Sequence, residues 1–168
     1  MTTLILASVA AGVLGTAPML AVTYLPTLWR GPPCDVTGML GSALTGTENA
    51  RSRYLGTGLF LVGGVAFAFL YGLVVIAFMQ AGSQFPSVPV PLELAATLDL
   101  AYLLVGLAMG VVHGGLVVLL ATILITEHHP LDRYRGGWSF VAPLLAGHLA
   151  FGATVAVFQH QFLQLLAG

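Results

Sequence analysis

The chain has no lysine, a single cysteine and few charges of either sign, five arginines and six acids making up 7% of its residues. Each scarcity removes a class of function. Cys34 alone cannot form an internal disulfide or a clustered thiolate metal site. Five arginines without a basic stripe lack the electrostatic footprint of nucleic-acid binding, so no nucleic-acid partner is expected. Soluble domains carry roughly a quarter charged residues. A chain with 7% charged and 58% hydrophobic residues is a membrane protein instead.

What remains is organised by where the charges fall. All of them lie in three windows, Arg30 to Arg53, Glu93 to Asp99 and Glu127 to Arg135. The four segments between and beside them are uncharged, and about 20 apolar residues suffice to span the hydrocarbon as a helix. The expectation is an all-α polytopic fold within one transmembrane domain over residues 1–168. Its four spanning helices fall at about 3–25, 54–80, 100–126 and 138–165. Strands of a barrel would alternate apolar and polar positions, whereas these runs are apolar on every side. LILASVAAG has the apolar core of a signal peptide without a basic n-region, and it is read as the first spanning helix.

Every arginine lies in the first or third inter-helix connection: Arg30, Arg51 and Arg53, then Arg133 and Arg135. By the positive-inside rule those connections are cytoplasmic and both termini lie outside, together with the Pro-rich connection AGSQFPSVPVPLE. Trp29, Tyr54, Tyr134 and Trp138 gather on the arginine side, where amphipathic rings favour the headgroup layer. Helices in place of strands point to a cytoplasmic membrane and away from a bacterial outer membrane.

Two internal similarities suggest a 2+2 parallel repeat. VGGVAFAF (Val62 to Phe69) aligns with AGHLAFGA (Ala146 to Ala153), and AAGVLG aligns more weakly with AMGVVH, pairing Gly12 with Gly110. The same alignment sets His148 opposite Gly64 and His113 opposite Gly15, so both histidines belong to the second half. Between the first two spans, Val36, Met39, Leu40, Ala43 and Leu44 form one apolar helical face. Asp35 stands at the N-cap. An interfacial helix is therefore expected at about 35–45.

DVTGMLG after the first helix, HHP closing the third and LLAGHLAFG in the fourth together resemble an uncharacterised family of small four-helix bacterial and archaeal integral membrane proteins. The resemblance covers most of the chain. It implies the four-helix architecture, the interfacial helix and the recurrence of these histidines. It implies no activity, and the Pro-rich connection and the ENARSR segment fall outside it.

His113 lies 13 residues before Thr126 and His148 lies 10 residues after Trp138. With a rise of about 1.5 Å per residue both stand near mid-depth. Asp99, Tyr102, Gly106, Gly110 and His113 share one side of helix three. His148, Gly152, Val155 and Gln159 do the same on helix four, which brings Gln159 near Asp99. Asp99, Tyr102 and Gln159 are thus expected as lesser members of a polar path, with His113 and His148 at its centre. Neutral imidazoles can serve as helix contacts, hydrogen-bonded to each other, to Thr154 or to a backbone carbonyl. They can also ligate haem, a pigment or a metal ion, or carry protons. Haem or pigment is not the favoured outcome, and the metal is unassigned. Adjacent His128 and His129 point apart on a helix and are read, with Glu127, Asp132, Arg133 and Arg135, as a structural connection.

No catalytic residue is assigned. The sequence has no HExxH, no GxSxG and no phosphate-cradling glycine loop before a basic residue. An enzyme is not the expectation. The expected role is association: an accessory or structural subunit whose partners are the lipid bilayer and other membrane subunits, or further copies of itself. Electron transfer through mid-membrane histidines and a small proton or solute carrier stand as the alternatives.

Overall fold

The computed structural model describes residues 2–32, 34–80, 89–92, 96–135 and 138–167, with the backbone alone described at 79, 89–92, 96–101, 124 and 167. The chain is an all-α polytopic membrane protein, with four helices long and apolar enough to cross a bilayer. The elements are α1 (Thr2–Tyr24), α2 (Val36–Thr45), α3 (Ala50–Gln80), α4 (Leu100–Leu120) and α5 (Val141–Ala167). A small antiparallel hairpin, β1 (Pro89–Leu92) against β2 (Ala96–Asp99), precedes α4. A π-helical turn, Ala121–Thr126, ends α4.

Burial follows residue size more than polarity. On α1 the buried positions include Ala7, Ser8, Ala11, Gly12, Gly15 and Thr16, while Leu6, Val13 and Leu14 face outward at 42–55% exposure. The reason is the solvent. Lipid tails are as apolar as leucine, so nothing drives leucines inward, and small residues mark the surfaces where backbones can approach. Hydroxyls on these inner faces bond to their own helix, Thr16 to the Val13 carbonyl at 2.6 Å and Thr23 to that of Leu20 at 2.8 Å.

The glycines fix the crossings. A methyl group placed on Gly12 would stand 2.7 Å from Val65 Cα and 2.8 Å from the Gly64 carbonyl oxygen, so α1 and α3 cross in near backbone contact. One placed on Gly110 would stand 2.7 Å from the His148 carbonyl oxygen and 3.2 Å from Leu149 Cα, the corresponding contact of α4 with α5. These are the residues that the internal alignment pairs, Gly12 with Gly110, Gly64 with His148 and Val65 with Leu149. Phe151 rests on Gly15 of α1. Phe67, its aligned counterpart, rests on His113 of α4.

α1 packs along both α3 and α5, and α5 along α4, whereas α3 and α4 meet only narrowly. Among the described residues two contacts join them, one near the hairpin and one about midway along the spans. Tyr71 donates its hydroxyl proton to the Tyr102 carbonyl at 2.9 Å, and Phe67 stacks on His113. Toward the arginine side the two helices part.

α2 lies across that end. Gly38 N–H donates to Asp35 Oδ1 at 2.9 Å, capping the helix. Its buried residues are Val36, Gly38, Met39, Gly41 and Ser42. Of the expected apolar face Val36 and Met39 are buried and Leu40 packs against the core, while Leu44, expected there too, is 65% exposed. The correction has the same cause as on α1: α2 docks through small residues, Gly41 against the Ser52 carbonyl and Gly56 of α3 against that of Thr37. α3 begins at Ala50, four residues before the expected start, because Asn49 caps it: Ser52 N–H donates to Asn49 Oδ1 at 2.9 Å, and Asn49 N–H to Ser52 Oγ at 3.0 Å.

His129 pins α2 from the other side. It is 1% exposed, with Nε2 3.0 Å from the Met39 carbonyl oxygen, and its Nδ1 accepts from Leu131 N–H at 3.0 Å. Since Nδ1 accepts, the proton sits on Nε2 and donates to Met39. The expected structural connection is thus built on one of its two histidines, while His128 is exposed.

Candidate functional site: a histidine-lined cleft

Where α3 and α4 part on the arginine side of the Phe67–His113 contact, they border a cleft of about 240 Å³. Phe60, Gly63 and Gly64 line it from α3, Val117 and Ala121 from the α4 segment, Met39 and Leu40 from α2, and Leu144 and Phe151 from α5. Leu59 and Leu120 form its two lips and are 41% and 52% exposed, so it opens sideways toward lipid. A methyl group on Gly63 would meet nothing within 4 Å, so this glycine keeps space open and brings no backbones together. The π turn begins at Ala121 and carries Ile125, another lining residue. Such turns recur at functional sites.

Among the described residues the only ionisable side chains on this cleft are His113 and His148. The structure brings them together, ring centroids 4.8 Å apart and planes at 84°. His148 is 3% exposed and fits between the helices because residue 114 is glycine: a methyl group there would stand 2.8 Å from His148 Cβ. Its Nδ1 lies 2.8 Å from the Leu144 carbonyl oxygen. A carbonyl can only accept, so this nitrogen carries the proton. His113 stacks on Phe67 at 4.0 Å and 11°. Its Nδ1 is buried without a hydrogen-bond partner. No hydrogen bond joins the two rings among the described residues. The backbone carbonyl serves His148, and Thr154 is occupied with the Ala150 carbonyl at 2.7 Å.

One haem between these histidines does not fit. Two axial imidazoles must stand on opposite faces of a macrocycle, whereas these rings meet edge to face across helices locked by Gly106, Gly110 and Gly152. Among the described residues no three His, Cys, Asp or Glu side chains gather at one point.

The rest of the expected polar path divides. Gln159 is 1% exposed and turns toward the first half of the chain, donating to Ser8 Oγ at 2.8 Å and to the Ala68 carbonyl at 3.1 Å. It braces α5 against α1 and α3. Tyr102 lies against the ring of His160, with centroids 4.4 Å apart. The side chain of Asp99 lies outside the described residues. Phe67, Tyr71 and Phe151 occupy the depth between the Tyr102 level and the histidine pair.

At the arginine side a second group of charged residues holds the connections together. Arg133 pairs with Glu48 at 2.6 Å and Asp35 at 3.7 Å, and Arg53 with Asp35 at 3.4 Å and Glu48 at 3.5 Å. Tyr134 donates to Asp35 at 3.4 Å and accepts from Arg133. Both guanidiniums are about half exposed, so each pair contributes at most about 1 kcal/mol. Their effect is to tie α2, the start of α3 and the α4 to α5 connection into one unit.

The fold and the cleft define a class, a small multi-pass helical membrane protein with a lateral apolar site. Comparison of the chain with family models, with curated proteins and with solved structures gives no match.

Proposed function

We propose that this protein binds a small membrane-dissolved molecule in the cleft between α3 and α4, as a binding module or carrier. The observation that carries the reading is the cleft itself: apolar walls, lips exposed toward lipid, and two imidazoles as its only ionisable lining. Small-molecule sites are mostly apolar concavities of about 300–1,000 Å³ with a few placed polar groups. At about 240 Å³ this one suits a single chain or a compact ring system.

The matched crossings of Gly12 and Gly110 support an internal duplication behind this site. In the first half the positions equivalent to His113 and His148 are Gly15 and Gly64. The α1–α5 contact is filled by Phe151 against Gly15, while its counterpart between α4 and α3 has Phe67 stacked on His113, with the cleft beginning beside it. With the arginine connections cytoplasmic, the cleft opens toward the inner leaflet of a cytoplasmic membrane.

Replacing Gly63 by leucine tests the reading, because leucine fills the cleft without touching backbone. Native mass spectrometry of gently extracted wild-type protein should find a bound small molecule, and Gly63→Leu should lose it while melting no earlier. Equal retention in both proteins would place the molecule elsewhere.

A second reading, an accessory subunit of a larger membrane assembly or a self-associating chain, is favoured by glycines that no helix of this chain covers. Gly58 and Gly115 face open space, where a further helix could approach closely. Bulky substitution at these two positions should then release a co-purifying partner.

A further inference from the structure

Which head group the cleft accepts can be read from the proton positions of its two imidazoles, granted that the cleft is a binding site. His148 donates from Nδ1 to the Leu144 carbonyl, so in the neutral ring Nε2 holds the lone pair. His113 is fixed differently. Its Nδ1 is sealed from solvent with no partner. Orphaned buried N–H groups are rarer than under-satisfied acceptors. The sealed nitrogen is therefore the unprotonated one, and Nε2–H is the donor. Neither Nε2 bonds to a described residue and neither is among the sealed atoms. The two imidazoles thus present one donor and one acceptor, on rings in edge-to-face contact, while Thr16, which also lines the cleft, spends its hydroxyl proton on the Val13 carbonyl.

We infer that the cleft takes a neutral, single-chain amphiphile ending in a hydroxyl, an alcohol or a phenol, whose oxygen accepts from His113 Nε2–H and whose proton is donated to His148 Nε2. Other head groups satisfy less. A ketone or an ether accepts but cannot donate, which strands the His148 lone pair. A carboxylate or phosphate brings a charge to mid-depth with no cation facing it, which is costly there. The walls fix the remainder, since Phe60, Val117, Ala121 and Leu144 offer only apolar contact. A two-chain lipid exceeds the space.

The test uses full-length protein in nanodiscs and three photoreactive probes of one chain length: a diazirine-bearing decan-1-ol, its methyl ether and the corresponding decane. Labelled residues are mapped by peptide mass spectrometry. The alcohol should label cleft residues about tenfold more than the ether, the scale of one hydrogen bond in an apolar site. His148→Phe should bring alcohol and ether to parity without changing the decane. If alcohol and ether label the cleft equally in the wild type, the hydroxyl inference falls and the binding site stands. If no probe labels the cleft above lipid-facing positions such as Leu6, the binding site itself falls. The comparison of probes on unaltered protein holds even if His148→Phe does not fold.

Discussion

Cys34 illustrates how a residue's chemistry depends on a few ångströms of surroundings. Its thiol is 7% exposed, lies 4.0 Å from the Phe140 carbonyl oxygen, and is pushed up to about 11 by burial and by the Asp35 carboxylate beside it. The thiolate is the reactive form. At pH 8 maleimide should therefore modify the folded protein more than about a hundredfold more slowly than the unfolded chain, whose thiol titrates near its ordinary value. Mass spectrometry of a time course in mild detergent and in denaturant measures both rates, and similar rates would mean an accessible thiol. Glycines differ from one another just as sharply. Gly63 and Gly110 are both mid-helix, yet one borders open space and the other touches the His148 backbone. Sequence places both on helices, and only the neighbouring helix tells them apart.

At the scale of elements, close approach governs stability. Gly12→Ala and Gly110→Ala should each cost about 1–3 kcal/mol, the usual penalty of overpacking, and by similar amounts because the two crossings correspond. Gly58→Ala, which meets nothing, should be neutral or gain up to about 1 kcal/mol of helix propensity. Thermal unfolding in one detergent checks the series, and equal melting of all variants would contradict the crossings. α2 depends on a different contact. His129→Ala removes the donor to Met39 and the acceptor for Leu131, leaving buried backbone groups unpaired at a cost of about 1–3 kcal/mol. With α2 loosened, trypsin should cut at Arg51 and Arg53 several times faster than in the wild type. An unchanged digestion rate would show that Gly41 and Gly56 alone hold the helix.

The existence and order of the four spans and of α2 were legible in the sequence, since an uncharged run of about 20 residues, apolar on every side, fits a bilayer as a helix. The N-cap at Asp35 was legible for the same local reason. Of the apolar face expected on α2, Val36 and Met39 are buried and Leu40 packs on the core; Leu44 alone is exposed, because the docking is set by Gly41, and by Gly56 of α3, toward the other end of that face. The partners of Gln159 were not legible for a related reason. Its depth follows from counting, but its rotation toward Ser8 and Ala68 depends on where α5 sits relative to α1.

Across the whole molecule the bundle is tight on one side and parted on the other. α1 and α5 pack along their length, while α3 and α4 are joined by Tyr71 and Phe67 and then separate. Spin labels at positions 59 and 120, across the lips of the cleft, should give a broader distance distribution than labels at 70 and 104, beside the Tyr71–Tyr102 contact. Pulsed electron resonance reads both, and Cys34 can remain because its thiol is buried. Equal widths would mean that the cleft does not move, and that any occupant reaches it through a fixed opening.

The sequence by itself determined that this is a helical membrane protein with four helices long and apolar enough to span, and that a histidine stands near the middle of each of the last two. Those properties follow from composition along the chain and from the fixed rise of a helix. The tertiary structure decided which way each helix turns. It set His113 edge-on to His148, turned Gln159 toward Ser8 and Ala68, and left Gly63 beside a cleft. In a bilayer every helix face is apolar, so rotation is settled by where glycine permits backbones to touch.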